Sequence, residues 1–422
     1  MSVPRLLLLS SEFPPGPGGI GTHAYQLAHH LSGRGWAVAV AVSQGYAPPA
    51  ERDAFNRRQP FIVLPLAERA DGRLWPVARL WGIAALIRAA RPQVVVASGL
   101  RSLWLAWALR PLFGLSYVAI GHGTEFHSAS AAARGLTARA IAGAAAVVAV
   151  SDYTADLVRQ AGRPRHLVVI PNAADGERFR PGLATDALRA FWAVEGRRVL
   201  LTVGRVCERK AQDVVIRALP RVLAVHPDVV YVMAGLPEKQ AEYMALAEQL
   251  GVGHAVRFTG LVAEGDLPAL YDLADLFVLV SRQTAAGDVE GYGIVVQEAA
   301  LCGAPAVVSQ GCGLTEAIRE GETGVSVPPD DPAATAAALI ALLDDDAARR
   351  RMGHRARELA ASATWAERVA DYDRLLRDVV GAAGEQGGEP PRPVGEGWGE
   401  GAEAATRPTS EAADSELVTR HS

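Results

Sequence analysis

Two carboxylates eight residues apart, Glu290 and Glu298, bracket a glycine-rich turn that opens an apolar helical stretch. The glycines leave the backbone amides of Gly291, Tyr292 and Gly293 free to face a ligand at a helix start. One carboxylate suits the hydroxyls of a bound sugar and the other a ribose. A carboxylate pair also suits hydrolysis, with one acid and one base. A second cluster weighs against hydrolysis: Arg205 and Lys210 follow the apolar run 198–204 and sit at the start of the next helical stretch. Two cations at a helix N-terminus, where the dipole already favours anions, make a diphosphate site. Such a site makes sense beside an anionic leaving group.

Two further motifs stand at strand ends. Gly18 and Gly19 belong to the run 16–21, directly after an apolar strand and before a helix. Paired glycines let a phosphate approach the backbone, and free amides at the helix start supply donors. The run is not a dinucleotide fingerprint, because Pro17 interrupts it and no clear ribose acid follows about 20 residues on. His122 lies between Gly121 and Gly123 after the run 117–121, exposed to whatever fills a cleft there. Glu125 is either a second polar contact or a neighbour of a helix cap.

These residues need elements to hold them. Apolar runs at 5–10, 36–42, 61–65, 93–98, 117–121, 145–150 and 167–171 read as strands, with helices at 20–34, 74–90 and 133–143 among those between them. Such runs lack polar alternation, as strands buried on both faces of a parallel sheet do. Residues 171–182 read as a linker. The pattern restarts with strands at 198–204, 229–235, 255–260, 276–281, 304–309 and 323–328, and helices between them. The fold class is α/β: two doubly wound Rossmann-like domains with a cleft between them, and ligands at the carboxyl ends of the strands. The expected boundaries are 1–175 and 176–362, then a helix at 363–380. The Gly-, Glu- and Pro-rich segment 381–422 reads as a disordered tail.

Composition narrows the class. The chain has 422 residues, half of them hydrophobic, which suits two cores. Cys207, Cys302 and Cys312 form neither a disulfide framework nor a metal spacing, so a reduced, cytoplasmic setting and no metal are expected. No long uncharged run, Walker A lysine loop, serine elbow or basic-aromatic pattern for nucleic acid occurs. Residues 1–180 hold 19 Arg, no Lys and 10 Asp plus Glu, a balance of +9 against −4 for the whole chain. Only Lys210 and Lys239 are lysines, which singles out Lys210. Region 73–110 carries Trp75, Trp81, Trp104 and Trp107 among arginines. That pattern fits a helical face on an anionic membrane, at the inner face of the plasma membrane, and equally fits core tryptophans with solvent-facing arginines.

The motifs EFPPGPGGIGTHAYQLAHHL, GHGTEFH, SDYTADLV, VIPNAAD, VGRVCERKAQD, FTGLV, EGYGIVVQEAALCGAPAVVS and GETGVSVPPDDP together carry a resemblance. From about residue 5 to 378 the chain resembles the retaining, family-four glycosyltransferases of GT-B fold. That family includes bacterial phosphatidylinositol mannosyltransferases and related sucrose and polysaccharide enzymes. The resemblance implies that Gly19 offers its amide to the donor phosphate and that Arg205 and Lys210 hold the diphosphate. It places Glu290 on the donor sugar, Glu298 on the ribose, His122 near the transferred sugar, and Gly260 and Leu261 at the nucleobase. It implies no cofactor beyond a nucleotide-diphosphate sugar as co-substrate, no divalent metal, and a final helix crossing back to the first domain. The partners implied are a nucleotide-sugar donor and a lipid-linked or glycan acceptor. The stretch RQTAAGDV before Glu290 is longer than is usual in the family and looks like that of mannosyltransferases acting on lipids, which points to GDP-mannose. Two alternatives share the architecture: a nucleotide-sugar epimerase and a non-catalytic nucleotide-sugar-binding protein.

Overall fold

The computed structural model describes residues 3–67, 75–126 and 130–386. The first domain holds a seven-stranded sheet: β1 (Arg5–Ser10), β2 (Ala37–Val42), β3 (Ile62–Pro65), β4 (Val94–Ser98), β5 (Ser116–Gly121), β6 (Ala146–Ala149) and β7 (Leu167–Val169). The second holds six: β8 (Arg198–Val203), β9 (Val229–Ala234), β10 (Val256–Gly260), β11 (Leu276–Leu279), β12 (Ala306–Ser309) and β13 (Gly324–Val327). Each apolar run named above overlaps one of these strands, and all but 117–121, which starts one residue inside β5, contain it.

The strand orders are β3-β2-β1-β4-β5-β6-β7 and β10-β9-β8-β11-β12-β13. Every pairing is parallel, which explains the uninterrupted apolar runs: helices cover both faces, so neither face can be polar. All of β9 is buried, and each fully buried Val or Leu contributes about 1.5–3 kcal/mol. In each sheet the order reverses beside one strand, β1 in the first and β8 in the second. The crevice at such a reversal, beyond the carboxyl ends, is where ligands bind in these folds.

One apolar core runs through both domains. It joins β1 and β2 residues to β8, β9 and β11 by way of Ala173, Phe179 and the final helix, Trp365–Gln386. That helix presents Trp365, Val369, Tyr372 and Leu376 inward, a stripe at helical spacing. It extends past residue 380, where the tail was expected to begin; residues 387–422 lie outside the described residues. The helix expected at 74–90 is observed as Trp75–Ala90. Of the tryptophans in this region, Trp104 is partly buried and donates from its indole to Thr137 Oγ1 at 3.0 Å, and Trp107 is partly buried. Trp81 is 75% exposed, beside exposed Val77 and Leu80. Trp104 and Trp107 thus pack as the core reading expects; Arg73 and the Trp75 side chain lie outside the described residues. No helix among the described residues is long and apolar enough to cross a membrane.

Candidate active site

The loops that follow β1, β4 and β5 face those that follow β8 and β11. After β8, Gly204 has a φ of 142°, and the Lys210 side chain lies over it, with Cε 3.1 Å from where a Cβ would stand. A one-turn 3-10 helix, Glu208–Lys210, then delivers two cations together. Lys210 Nζ donates to Glu290 Oε2 at 2.7 Å, and Arg209 donates to the same oxygen. All three side chains are largely buried. Burial works to raise the Glu290 pKa, but the charges of Arg209 and Lys210 and their hydrogen bonds outweigh it and hold the carboxyl down at about 2. Burial pulls the Lys210 ammonium below its ordinary value, while Glu290 pushes it back up.

Arg205 stands outside this cluster. It is 49% exposed and lies 3.6 Å from Glu238. Arg209, which the sequence reading passed over, takes the inner place. The carbonyl of Arg209 accepts from the Arg282 amide at 2.9 Å. Arg282 in turn pairs with Asp213 at 2.9 Å and Asp330 at 2.5 Å, so the long stretch before Glu290 is anchored behind the cation.

Across the cleft, Gly18 caps the helix Gly19–Gly33 with a φ of 150°. Any Cβ on Gly18 would run into the carboxylate of Glu12. That carboxylate also accepts from the Gly21 amide, and the charges of Arg205 and Arg209 reach it from the other domain. Its pKa is nonetheless raised, with burial the main cause. Glu12 therefore fills an anion-favouring helix start while facing two arginines. Gly19 is exposed, with open space beside it.

His122 follows β5. Its Nε2 lies 2.9 Å from Ser98 Oγ at the end of β4. Burial pushes its pKa down to about 4. Its amide donates to both oxygens of Glu125, at 3.0 and 3.1 Å, and Glu125 is itself buried, which raises its carboxyl to about 7. Glu125 is thus an internal brace for the His122 turn.

The Glu290 loop closes onto this turn. Gly291 comes so near the His122 carbonyl that a side chain would collide with it. The Gly291 carbonyl accepts from Ser151 Oγ at 2.6 Å and Thr154 Oγ1 at 3.3 Å. Glu316 in the second domain accepts from the amides of Asp152 and Tyr153, at 2.7 Å each, at the start of the helix Asp152–Ala161. Among the described residues the amides of Gly291, Tyr292 and Gly293 make no hydrogen bond. Gly293, at φ 84°, caps the helix Ile294–Leu301. Tyr292 is turned inward with its hydroxyl 3.3 Å from Gln297 Nε2.

Glu298 lies within that helix, buried, and accepts from Tyr271 Oη at 2.5 Å. Burial raises its carboxyl to about 7, against the hydrogen bond and the charges of Arg178 and Lys210. Leu261, beyond β10, is 57% exposed. The structure thus brings Lys210, Glu290, Gly291 and His122 together, with Gly18 and Gly19 opposite, and leaves Arg205 and Leu261 at the margins.

A separate apolar cavity of about 220 Å³ opens at the carboxyl end of β1 and β2, walled by Leu9, Ala41, Leu66 and Leu105, with Arg79 and Arg101 among its lining.

Comparison with known proteins agrees with this architecture. The family described as Glycosyltransferase Family 4 matches residues 17–178, and that described as Glycosyl transferases group 1 matches residues 185–359. The chain is 32% identical over 346 residues to the GDP-mannose-dependent alpha-(1-6)-phosphatidylinositol monomannoside mannosyltransferase of Mycobacterium tuberculosis, covering 76% of this chain and 85% of that protein. It is 32% identical over 293 residues to D-inositol 3-phosphate glycosyltransferase of Corynebacterium diphtheriae, covering 67% of each. Among solved structures, sucrose-phosphate synthase from Thermosynechococcus elongatus superposes with a TM-score of 0.76 at 22% identity, over 90% of this chain and all of that one. Anabaena HepE in complex with UDP and glucose superposes at 0.75 and 22%, over 89% of this chain and 99% of that one. The chain belongs to the glycosyltransferases that pair a family 4 domain with a group 1 domain in the GT-B fold.

Proposed function

We propose that this glycosyltransferase moves a hexosyl group, with retention and without a divalent metal, from GDP-mannose to a lipid-linked acceptor. The carrying observation is the buried Glu290–Lys210–Arg209 cluster facing the Gly18–Gly19 helix start. A diphosphate lying between them meets fixed cations on one side and the open Gly19 amide, beside Glu12, on the other. In the reaction the bond from the anomeric carbon to the diphosphate oxygen breaks, and a bond to the acceptor oxygen forms on the same face. The acceptor proton passes to the departing phosphate. Lys210, Arg209 and Arg205 answer the growing negative charge, and preorganised charge of this kind needs no rearrangement as the reaction proceeds. Glu290 and the Gly291–Gly293 amides hold the sugar, Glu298 the ribose, Leu261 the base, and His122 lies near the transferred sugar.

The donor rests on the M. tuberculosis relative, which is named as GDP-mannose-dependent. The acceptor rests on that name together with the apolar cavity and its two arginines, a lining suited to an anionic amphiphile. Exposed Val77, Leu80 and Trp81 beside it suit contact with an anionic membrane surface. The test is nucleotide release from GDP-mannose and UDP-glucose by the wild type and by Lys210→Ala. The variant should lose about 10²–10³ in rate, as removal of one charge-stabilising donor does. A near-wild-type rate would overturn the assignment.

A further inference from the structure

We propose that His23 and Tyr372 are positioning residues for His122, so that the active site is complete only when the C-terminal helix is docked on the first domain. The inference rests on the reading above, in which His122 faces the transferred sugar.

The final helix leaves the second domain and binds the first at identifiable points. Its Trp365 amide donates to the Ala174 carbonyl at 3.3 Å. Asp373 accepts from Trp36 Nε1 at 2.7 Å and lies 3.6 Å from Arg34, and Arg377 sits 5.5 Å above the Trp36 ring. Tyr372, next to this anchor, points into the protein and is 2% exposed. Its hydroxyl lies 3.0 Å from His23 Nε2, a contact between residues 349 apart in sequence.

His23 is fully buried on the first helix. Its ring stands edge-on to His122, with centroids 5.0 Å apart, and edge-on to Trp365 at 4.9 Å. Three supports therefore define the His122 ring and its turn: Ser98 on Nε2, Glu125 on the amide, and His23 against the ring face or edge. Of these three, the His23 support comes from the first helix and is the one held by the C-terminal helix, while Gly291 of the second domain packs against the His122 carbonyl.

A purely space-filling role explains His23 poorly. Its Nδ1 is buried without a hydrogen-bond partner among the described residues. Either tautomer leaves that atom unsatisfied, as an N–H or as a lone pair, and an unmade buried hydrogen bond costs about 1–3 kcal/mol. An apolar side chain would fill the same volume without that cost. An imidazole earns its place here through Nε2, which Tyr372 fixes, and through the ring edge that this fixed orientation presents to His122. Burial holds both imidazoles well toward the neutral form, and the nearby His122 further discourages a charge on His23.

The test uses the full chain with Tyr372→Phe and His23→Leu. Tyr372→Phe keeps the ring that stacks on Trp365 and removes only the hydroxyl. Rates of nucleotide release are measured with GDP-mannose, or with UDP-glucose if that is the donor the wild type turns over. Affinity for the free nucleotide and thermal unfolding are measured beside them. Each variant should lose roughly ten- to a hundredfold in kcat, the scale on which small misplacements of a reacting group act. Nucleotide affinity should stay within about twofold (some 0.4 kcal/mol), because Lys210, Arg209 and Glu298 lie elsewhere. Unchanged kcat in both variants, while His122→Ala is crippled, overturns the inference and leaves the proposed function standing. A parallel fall in kcat, nucleotide affinity and unfolding temperature overturns it in favour of a role in folding alone. Full activity in His122→Ala overturns the reading of His122 itself, and this inference with it.

Discussion

Replacing Glu290 by glutamine keeps the side chain's shape and removes one buried charge between two cations. In the native protein Arg209 and Lys210 hold the carboxyl at about 2, against an ordinary value of 4.5. That difference corresponds to about 3 kcal/mol of stabilisation at neutral pH. The figure agrees in scale with the ~3–5 kcal/mol lost when one partner of a buried ion pair is removed. The melting temperature of the affected domain should then fall by roughly 6–12 °C. The sign of the pH dependence follows from the depressed value. The contribution is present in full above 4.5 and is lost as pH falls toward 2. The gap between wild type and Glu290→Gln in urea unfolding should therefore be widest at neutral pH and narrow below 4.5. A variant within about 0.5 kcal/mol of wild type, as exposed positions are, would refute the buried ion-pair argument. So would a gap that does not change with pH.

Two other consequences can be measured. Glu298 has a carboxyl raised to about 7 by burial, so its contribution to stability is complete below 4.5 and lost as pH rises through 7. Glu298→Gln should flatten that part of the stability profile. If ionised Glu298 accepts from the ribose, GDP should bind the wild type more tightly at pH 8 than at pH 6, and calorimetry on the variant should show no such difference. Gly291→Ala should cut kcat at least ~tenfold, about 1.4 kcal/mol, because its Cβ meets the His122 carbonyl and holds the two loops apart. Nucleotide affinity should survive in that variant, and an unchanged kcat would show that the loops need not meet.

Much of the fold was legible because parallel strands covered on both faces leave uninterrupted apolar runs, and the thirteen that were read each overlap a strand. The glycine turns were legible because Gly18 and Gly293 adopt backbone angles that other residues avoid. Lys210 stood out in a chain that otherwise uses arginine. What escaped was whatever depends on contact across the chain. Arg209 was overlooked beside Lys210, because nothing in two adjacent cations says that a 3-10 turn will aim both at one carboxylate. Glu12 was overlooked because the glycines drew attention, while the carboxylate folds back onto them from the preceding turn. His23 reads as an ordinary helical residue until Tyr372 arrives from the far end of the chain. The tryptophans were ambiguous for a similar reason: the helix Leu100–Phe113 turns Trp104 toward Thr137, whereas Trp81 is left exposed among the described residues.

The contacts across the cleft bear on how such a protein can change over generations. The groups proposed to take the donor come mostly from loops of the second sheet, and the apolar cavity lies wholly in the first. Drift in either set leaves the other's chemistry untouched. The seam constrains both halves at once, at contacts such as Gly291 against His122 and Ser151, Glu316 against the amides of 152 and 153, and Tyr372 against His23. Lineages that exchange one half for another should therefore vary these positions in concert. A chimera that joins foreign halves should recover activity when these few pairs are matched, however different the remaining loops.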